Sequence, residues 1–92
     1  MTPGQAEILA LQALGWLAGQ EDLLRVFLGS SGMSEGDLKA SASAPETLAA
    51  VMDFILMDDA WVMGFAAEAG VPPEQVMQAR GALPGGVDPH WT

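Results

Sequence analysis

The sequence predicts an all-α fold, a compact bundle of five or six short helices. Three observations support this class. Half of the 92 residues are hydrophobic, which is enough to build one core in a chain of this length. The apolar residues recur at the three- and four-residue spacing of amphipathic helices. Glycine and proline divide the chain into helix-sized segments, and no alternating strand pattern lies between them.

Two helices are predicted before residue 32. The first begins at Thr2 and Pro3, because a capping hydroxyl followed by proline suits a helix start. Its predicted apolar face consists of Ile8, Leu11, Leu14, Leu17 and Ala18, and Gly19 ends it. The second helix begins near Glu21 and ends at the segment GSSG. Its predicted apolar face consists of Leu23, Leu24, Phe27 and Leu28.

A short third helix precedes a connector of small residues. Ser34 is placed as its N-cap, and Asp37 stands at the third helical position, as in a capping box with a shorter acid. Met33 and Leu38 have the spacing of the hydrophobic staple that accompanies such a helix start. The connector then leads to Pro45, which is suited to open the next helix.

The fourth helix, at about residues 45–57, is predicted to be the centre of the fold. It is apolar almost all the way round, up to Met57, and such helices are usually buried. Met52 and Met63 are expected to fill gaps in the core, and Trp16 and Trp61 are expected there as well.

The fifth and sixth helices are predicted to meet at a corner. Asp58 or Asp59 caps the fifth helix, and Gly70 ends it. Its apolar residues are Trp61, Val62, Phe65, Ala66 and Ala69. Pro72 and Pro73 open the sixth helix, for which Val71 and Val76 form the staple. Residues 1–83 are therefore predicted to be one helical domain, and residues 84–92 a C-terminal tail that contains proline and glycine.

A shift of 38 residues, from Phe27 to Phe65, lays one half of the chain over the other without a gap. Gly32 then meets Gly70, and Leu38 meets Val76. We interpret this as two pseudo-repeated units of three helices, each a long helix followed by a helix–glycine–helix corner. The alternative is that unrelated corners converge on a glycine, a cap and an apolar residue, because helix ends impose that pattern.

Charge is the most informative bulk property. The net charge of −9 arises from 12 acidic residues against only 3 basic ones, so nucleic acid and anionic membranes are poor partners. Acidic residues also interrupt the apolar stretch 48–67, which argues against a membrane span. No basic segment precedes the first apolar stretch, and a cytoplasmic location is therefore expected.

The corner "FAAEAGVPPEQVMQAR" could also be a DNA-binding helix-turn-helix. In that case the last helix would enter the major groove, and Arg80 would be the only residue able to hold phosphate. Glu68 and Glu74 would then face the phosphates, which opposes binding.

No catalytic, cofactor or metal site is predicted. Asp53, Asp58 and Asp59 could suggest a hard-metal site or an acid–base pair. Capping and the helix dipole, however, explain Asp58 and Asp59. His90 is the only histidine, and nothing in the sequence pairs it with a serine.

Three blocks of the sequence resemble a family of small uncharacterised bacterial proteins, a domain of unknown function. They are "LLRVFLGSSGMSEGDLK", "PETLAAVMDFILMDDAWVMGFAAEAGV" and "PPEQVMQARGALPGG", within residues 13–86. The resemblance implies an all-helical cytoplasmic protein and supplies no activity or site residues.

The predicted function is a small acidic protein–protein interaction module, an adaptor or regulator. An acidic surface suits a basic protein partner, and Asp58, Asp59 and Trp91 are the candidate partner-binding residues. The chain is expected to be a monomer or a weak homodimer. The alternative is a degenerate helix-turn-helix regulator that acts within a larger assembly, and an enzyme that uses the aspartates ranks third.

Overall fold

The computed structural model describes residues 1–84, and these residues form six helices. The helices are α1 (Pro3–Ala18), α2 (Glu21–Ser31), α3 (Glu35–Ala40), α4 (Pro45–Ile55), α5 (Asp59–Ala69) and α6 (Glu74–Gly81). Helix is the only regular secondary structure in this part of the chain, so the all-α prediction is confirmed. None of these helices is long and apolar enough to cross a membrane.

Helix α4 lies at the centre, as predicted. It packs against α1, α2, α5 and α6, and most of its side chains are buried. Met57, which follows α4, is 77% exposed, so the prediction that the apolar surface of this helix extends to Met57 as core is wrong. The helix ends at Ile55, and Met57 therefore lies in the turn before α5.

The predicted face of α1 is wrong in part. Leu17 is fully buried and Leu14 is half-buried, but Ile8 and Leu11 are 62% and 44% exposed, and Ala18 is exposed as well. The buried face is narrower and consists mainly of small residues: Ala6, Leu9, Ala10, Ala13 and Leu17. Because α1 is apolar on nearly all sides, spacing alone cannot select the face that packs. Alanine allows helix backbones to approach closely, and α1 packs on α4 and α6.

The caps follow the sequence closely. Thr2 and Gln5 form a capping box at α1, and Ser34 and Asp37 form another at α3. The Asp58 carboxylate accepts a hydrogen bond of 2.8 Å from the backbone N–H of Ala60, so this residue caps α5.

The two halves match at the predicted shift. Helix α2, moved by 59 − 21 = 38 residues, has the same bounds as α5. Gly32 and Gly70 end the two helices with φ angles of 75° and 70°, in the left-handed region that favours glycine. Phe27 and Phe65 are both buried, as are Leu38 and Val76.

The aromatic contacts cross between the halves in an equivalent way. Trp16 on α1 packs against Phe65 on α5, with ring centroids 6.1 Å apart. The equivalent residue of α4, Phe54, packs against Phe27 on α2 at 5.4 Å. Each long helix therefore contacts the corner of the other half. This arrangement agrees with a pseudo-repeat, and a common ancestry of the halves stays a hypothesis.

Several other predictions concern single side chains. Met52 is fully buried, as expected, but Met63 is 58% exposed and does not belong to the core. Trp16 and Trp61 are half-buried and pack against the edge of the core. Leu83 is buried and Pro84 is exposed, and the domain boundary at residue 83 stays a prediction. The tail beyond Pro84, with His90 and Trp91, lies outside the described residues.

Candidate functional site

An open groove lies between the start of α5 and the face of α6, and we call it the α5–α6 groove. Its volume is about 480 Å³. Its lining residues are Leu56, Asp59, Val62, Pro73, Glu74, Met77 and Gln78. Met77 is 69% exposed, although it is one of the largest apolar side chains of α6. An exposed, flexible apolar side chain beside a groove is typical of adaptable binding surfaces.

Two carboxylates, Asp59 and Glu74, lie on this groove, and both residues are exposed. They occupy the first turns of α5 and α6, where negative charge interacts favourably with the helix dipole. Among the described residues that line the groove, none is basic. The groove therefore combines apolar lining with net negative charge.

The structure separates the roles of the two neighbouring aspartates. Asp58 is engaged in capping, and its carboxylate does not line the α5–α6 groove. Asp59 makes no capping bond of this kind and lines the groove. Of the two, Asp59 is therefore placed where a partner could meet it. Trp91, the third predicted partner-binding residue, is outside the described part of the chain.

We expect Asp58→Ala to lower the free energy of unfolding by about 1 kcal/mol, because the replacement leaves the N–H of Ala60 without its cap. Asp59→Ala should cost about 0.5 kcal/mol or less, since only a helix-dipole interaction is lost. Urea denaturation of both variants would measure the difference. Asp58→Asn is the control that keeps a capping oxygen. An equal loss for both alanine variants would contradict this assignment of the cap.

Arg80, the residue on which DNA binding by the last helix would depend, is already engaged. Its guanidinium donates to both carboxylate oxygens of Asp53, at 2.5 and 3.1 Å, and to the carbonyl oxygen of Pro84 at 3.0 Å. The Arg80 side chain is only 16% exposed. A phosphate would have to displace a bidentate carboxylate, which is one of the strong ion-pair geometries. The helix-turn-helix alternative thus has no free cation on α6.

The same ion pair separates Asp53 from the other two aspartates. Asp53 faces Arg80, Asp58 caps α5, and Asp59 lines the groove. Within residues 1–84, no group of three acidic or histidine side chains is arranged to hold a metal ion. The enzyme hypothesis therefore finds no shared centre for these aspartates in the described structure.

A second depression occupies the equivalent corner of the first half. It has a volume of about 300 Å³ and lies between α1, α2 and α3. Four of its lining residues, Ala18, Leu24, Glu35 and Lys39, are equivalent at the 38-residue shift to Leu56, Val62, Pro73 and Met77 of the α5–α6 groove. The repeated corner thus generates a repeated concavity. In the first half, however, it carries Lys39 where the α5–α6 groove carries Met77.

Sequence reasoning found Asp59 but not the apolar part of the groove. Val62 was expected to be core, and it is only half-buried. Met77 had no assigned role. The usable signal was the repeat, because Met77 is equivalent to the charged, exposed Lys39 and is therefore at a solvent-facing position.

Comparison with known proteins identifies one family. The model of a protein of unknown function, DUF3572, matches residues 3–86. No curated protein and no solved structure matches the chain.

Proposed function

The chain belongs to the DUF3572 family of unknown function, and from its surface we propose that it is a small acidic module that binds another protein. The family match confirms the resemblance of the sequence and supplies no activity. The observation that carries this proposal is the α5–α6 groove. Its exposed Met77 and half-buried Val62 offer apolar contact, and Asp59 and Glu74 offer negative charge.

The partner segment that fits this groove is an amphipathic helix with lysine or arginine beside its apolar stripe. Helix-in-groove recognition places apolar anchors at helical spacing into such a surface. The lining residues cover about one turn of each helix, from Asp59 to Val62 on α5 and from Glu74 to Gln78 on α6, so the groove can take about one to two turns of a partner helix. Basic residues next to the stripe would meet the two carboxylates.

Long-range electrostatics supports the same partner. The chain carries −9 overall, and Arg80 is paired with Asp53. A basic segment is therefore attracted towards the protein before contact, which raises the association rate, and acidic partners are repelled. We propose that the protein acts in the cytoplasm. Fractionation of cells that express the tagged chain should then recover it in the cytoplasmic fraction.

The first test is a titration of the ¹⁵N-labelled protein with a synthetic helix of leucine and lysine at amphipathic spacing. We expect amide shifts to concentrate at residues 56–62 and 73–78. A peptide in which glutamate replaces lysine should cause no shift, because it meets like charge. Shifts that spread evenly over all helices would contradict a groove and indicate non-specific attraction.

Charge reversal of the groove gives a sharper result. The double variant Asp59→Lys with Glu74→Lys should bind the basic peptide about threefold to tenfold more weakly, as expected for two exposed charge contacts. The control is Glu21→Lys with Glu35→Lys, which changes the net charge equally at acidic first-turn positions of α2 and α3. Equal weakening by both pairs would show that net charge alone controls binding.

A further inference from the structure

The outer face of α1 has a regular pattern that the α5–α6 groove does not involve. Five exposed residues follow one another at alternating spacings of four and three: Gly4, Ile8, Leu11, Gly15 and Ala18. This is the spacing at which one helix meets another along a seam. Ile8 and Leu11 are the exposed large side chains of the seam, and the other three residues are small.

The two glycines have no explanation inside the molecule. A Cβ atom built on Gly4 or Gly15 would meet no other atom within 4 Å. By contrast, a Cβ on Gly64 in α5 would lie 3.3 Å from Cζ2 of Trp16, so internal packing accounts for that glycine. Glycine within a helix costs up to about 1 kcal/mol relative to alanine. The seam therefore carries two glycines that packing within residues 1–84 does not require, as α2 does at Gly29 and α6 at Gly81.

The seam is also free of charge. None of its five residues is ionisable, in a chain with a net charge of −9. The nearest acid on the helix, Glu7, is half-buried, and the exposed polar neighbours Gln5 and Gln12 are neutral. At the edge of the seam, the exposed Glu68 of α5 shares a depression with Gln12 and Gly15. Depletion of charge is the compositional signal of an interface core. Two copies of so acidic a protein repel each other except where they meet through a neutral face.

We propose that α1 pairs antiparallel with α1 of a second copy through this seam. Gly4 and Ala18 each lie seven positions from Leu11, and Ile8 and Gly15 lie three and four positions from it, so Leu11 lies near the two-fold axis. Ile8 of each copy then faces Gly15 of the other, so a large side chain enters the space above a glycine. Gly4 faces Ala18, so small residues meet at both ends of the seam. Such self-complementarity is what an isologous interface requires, and it favours a second copy over an unrelated helix.

The size of the contact sets its strength. From Gly4 to Ala18 the seam spans 15 residues, and the 14 steps between them make it about 21 Å long. One helix pair of this length covers well under the roughly 800 Å² per partner of a standard interface. The dimer is therefore reversible, with a dissociation constant on the order of 100 μM.

Disulfide trapping tests the orientation, because the chain contains no cysteine. Leu11→Cys should form a covalent dimer rapidly under mild oxidation, since the two sulfurs meet near the axis. Ile8→Cys alone should not, because antiparallel pairing separates its two copies by about 9 Å along the helix, beyond disulfide reach. A mixture of Ile8→Cys and Gly15→Cys should link as a heterodimer. Val26→Cys, on the exposed face of α2, is the background control.

Sedimentation equilibrium between 10 μM and 1 mM tests the association itself. The unmodified chain should shift towards twice its mass with concentration, and Ile8→Glu should weaken association at least tenfold. Val26→Glu is the matched control, because Val26 is 54% exposed and off the seam. Circular dichroism checks that both variants remain helical. A chain that stays monomeric at 1 mM, equal loss in the control, or Leu11→Cys linking no faster than Val26→Cys would overturn the proposal.

Discussion

Replacing Phe54 with alanine should lower the free energy of unfolding by about 3–5 kcal/mol. Phe54 is buried, and its ring contacts Phe27 edge-on at 5.4 Å and stacks on Trp61 at 4.8 Å. The substitution removes the apolar area, both aromatic contacts and the link between α4 and the two corners. A domain of 92 residues has a total stability of roughly 5–14 kcal/mol, so this change removes a large part of it.

Chemical denaturation followed by circular dichroism measures this loss. Met57→Ala is the control, since Met57 stands only three positions further on and is 77% exposed. It should change the stability by less than about 0.5 kcal/mol. A loss below about 1 kcal/mol for Phe54→Ala would contradict the central position of this ring.

The second large effect concerns the rotation of α1. Ala13→Leu should cost about 1–3 kcal/mol or more, because Ala13 is fully buried and added methylene groups have no space there. Ala18→Leu introduces the same side chain on the same helix at an exposed position. It should leave the free energy of unfolding within about 0.5 kcal/mol of the unmodified chain.

Thermal and urea unfolding of the two leucine variants decide between two orientations of α1. The orientation predicted from sequence spacing turns Ile8 and Leu11 inwards, whereas the structure turns Ala6, Ala10 and Ala13 inwards. Ile8→Ser also distinguishes the two orientations. It should leave the free energy of unfolding nearly unchanged only if Ile8 faces outwards, as in the structure. If Ala18→Leu lowered the stability while Ala13→Leu did not, the assignment of the buried face of α1 would be reversed.

Helix ends could be predicted well, because capping depends on residues that are close in sequence. Ser34 with Asp37 and Thr2 with Gln5 mark helix starts through hydrogen bonds within one turn. Gly70 marks an end because few other residues adopt its positive φ. Asp58 could not be separated from Asp59 by sequence alone, since either can cap a helix that begins within one residue of the other.

The orientation of helices could not be predicted where apolar residues surround the axis. On α1 the close approach of α4 and α6 selects the alanines, and this depends on the tertiary arrangement. The same uncertainty applies to α5, where Phe65 turns inwards and Met63 outwards. On α1, the large apolar residues left outside, Ile8 and Leu11, belong to the proposed seam.

The candidate groove was only partly visible in the sequence for a related reason. Asp59 could be singled out as an exposed acid at a helix start, but a groove needs the distance between two helices. Val62 and Met77 are 15 residues apart and share a surface only because the corner at Gly70 brings α6 back beside α5. The repeat is the one sequence feature that relates Val62 and Met77 to each other, because the equivalent residues Leu24 and Lys39 line the depression beside α3.

Each half of the chain supplies an aromatic ring that packs into the core of the other half. Trp16 packs on Phe65 and Phe54 packs on Phe27, so two of the three aromatic contacts among the described residues join the halves, and only that of Phe54 with Trp61 lies within one half. A unit of about 38 residues is also below the size at which a chain usually folds without help. The connector at residues 41–44 then acts as a tether, which keeps two mutually dependent pieces at high effective concentration.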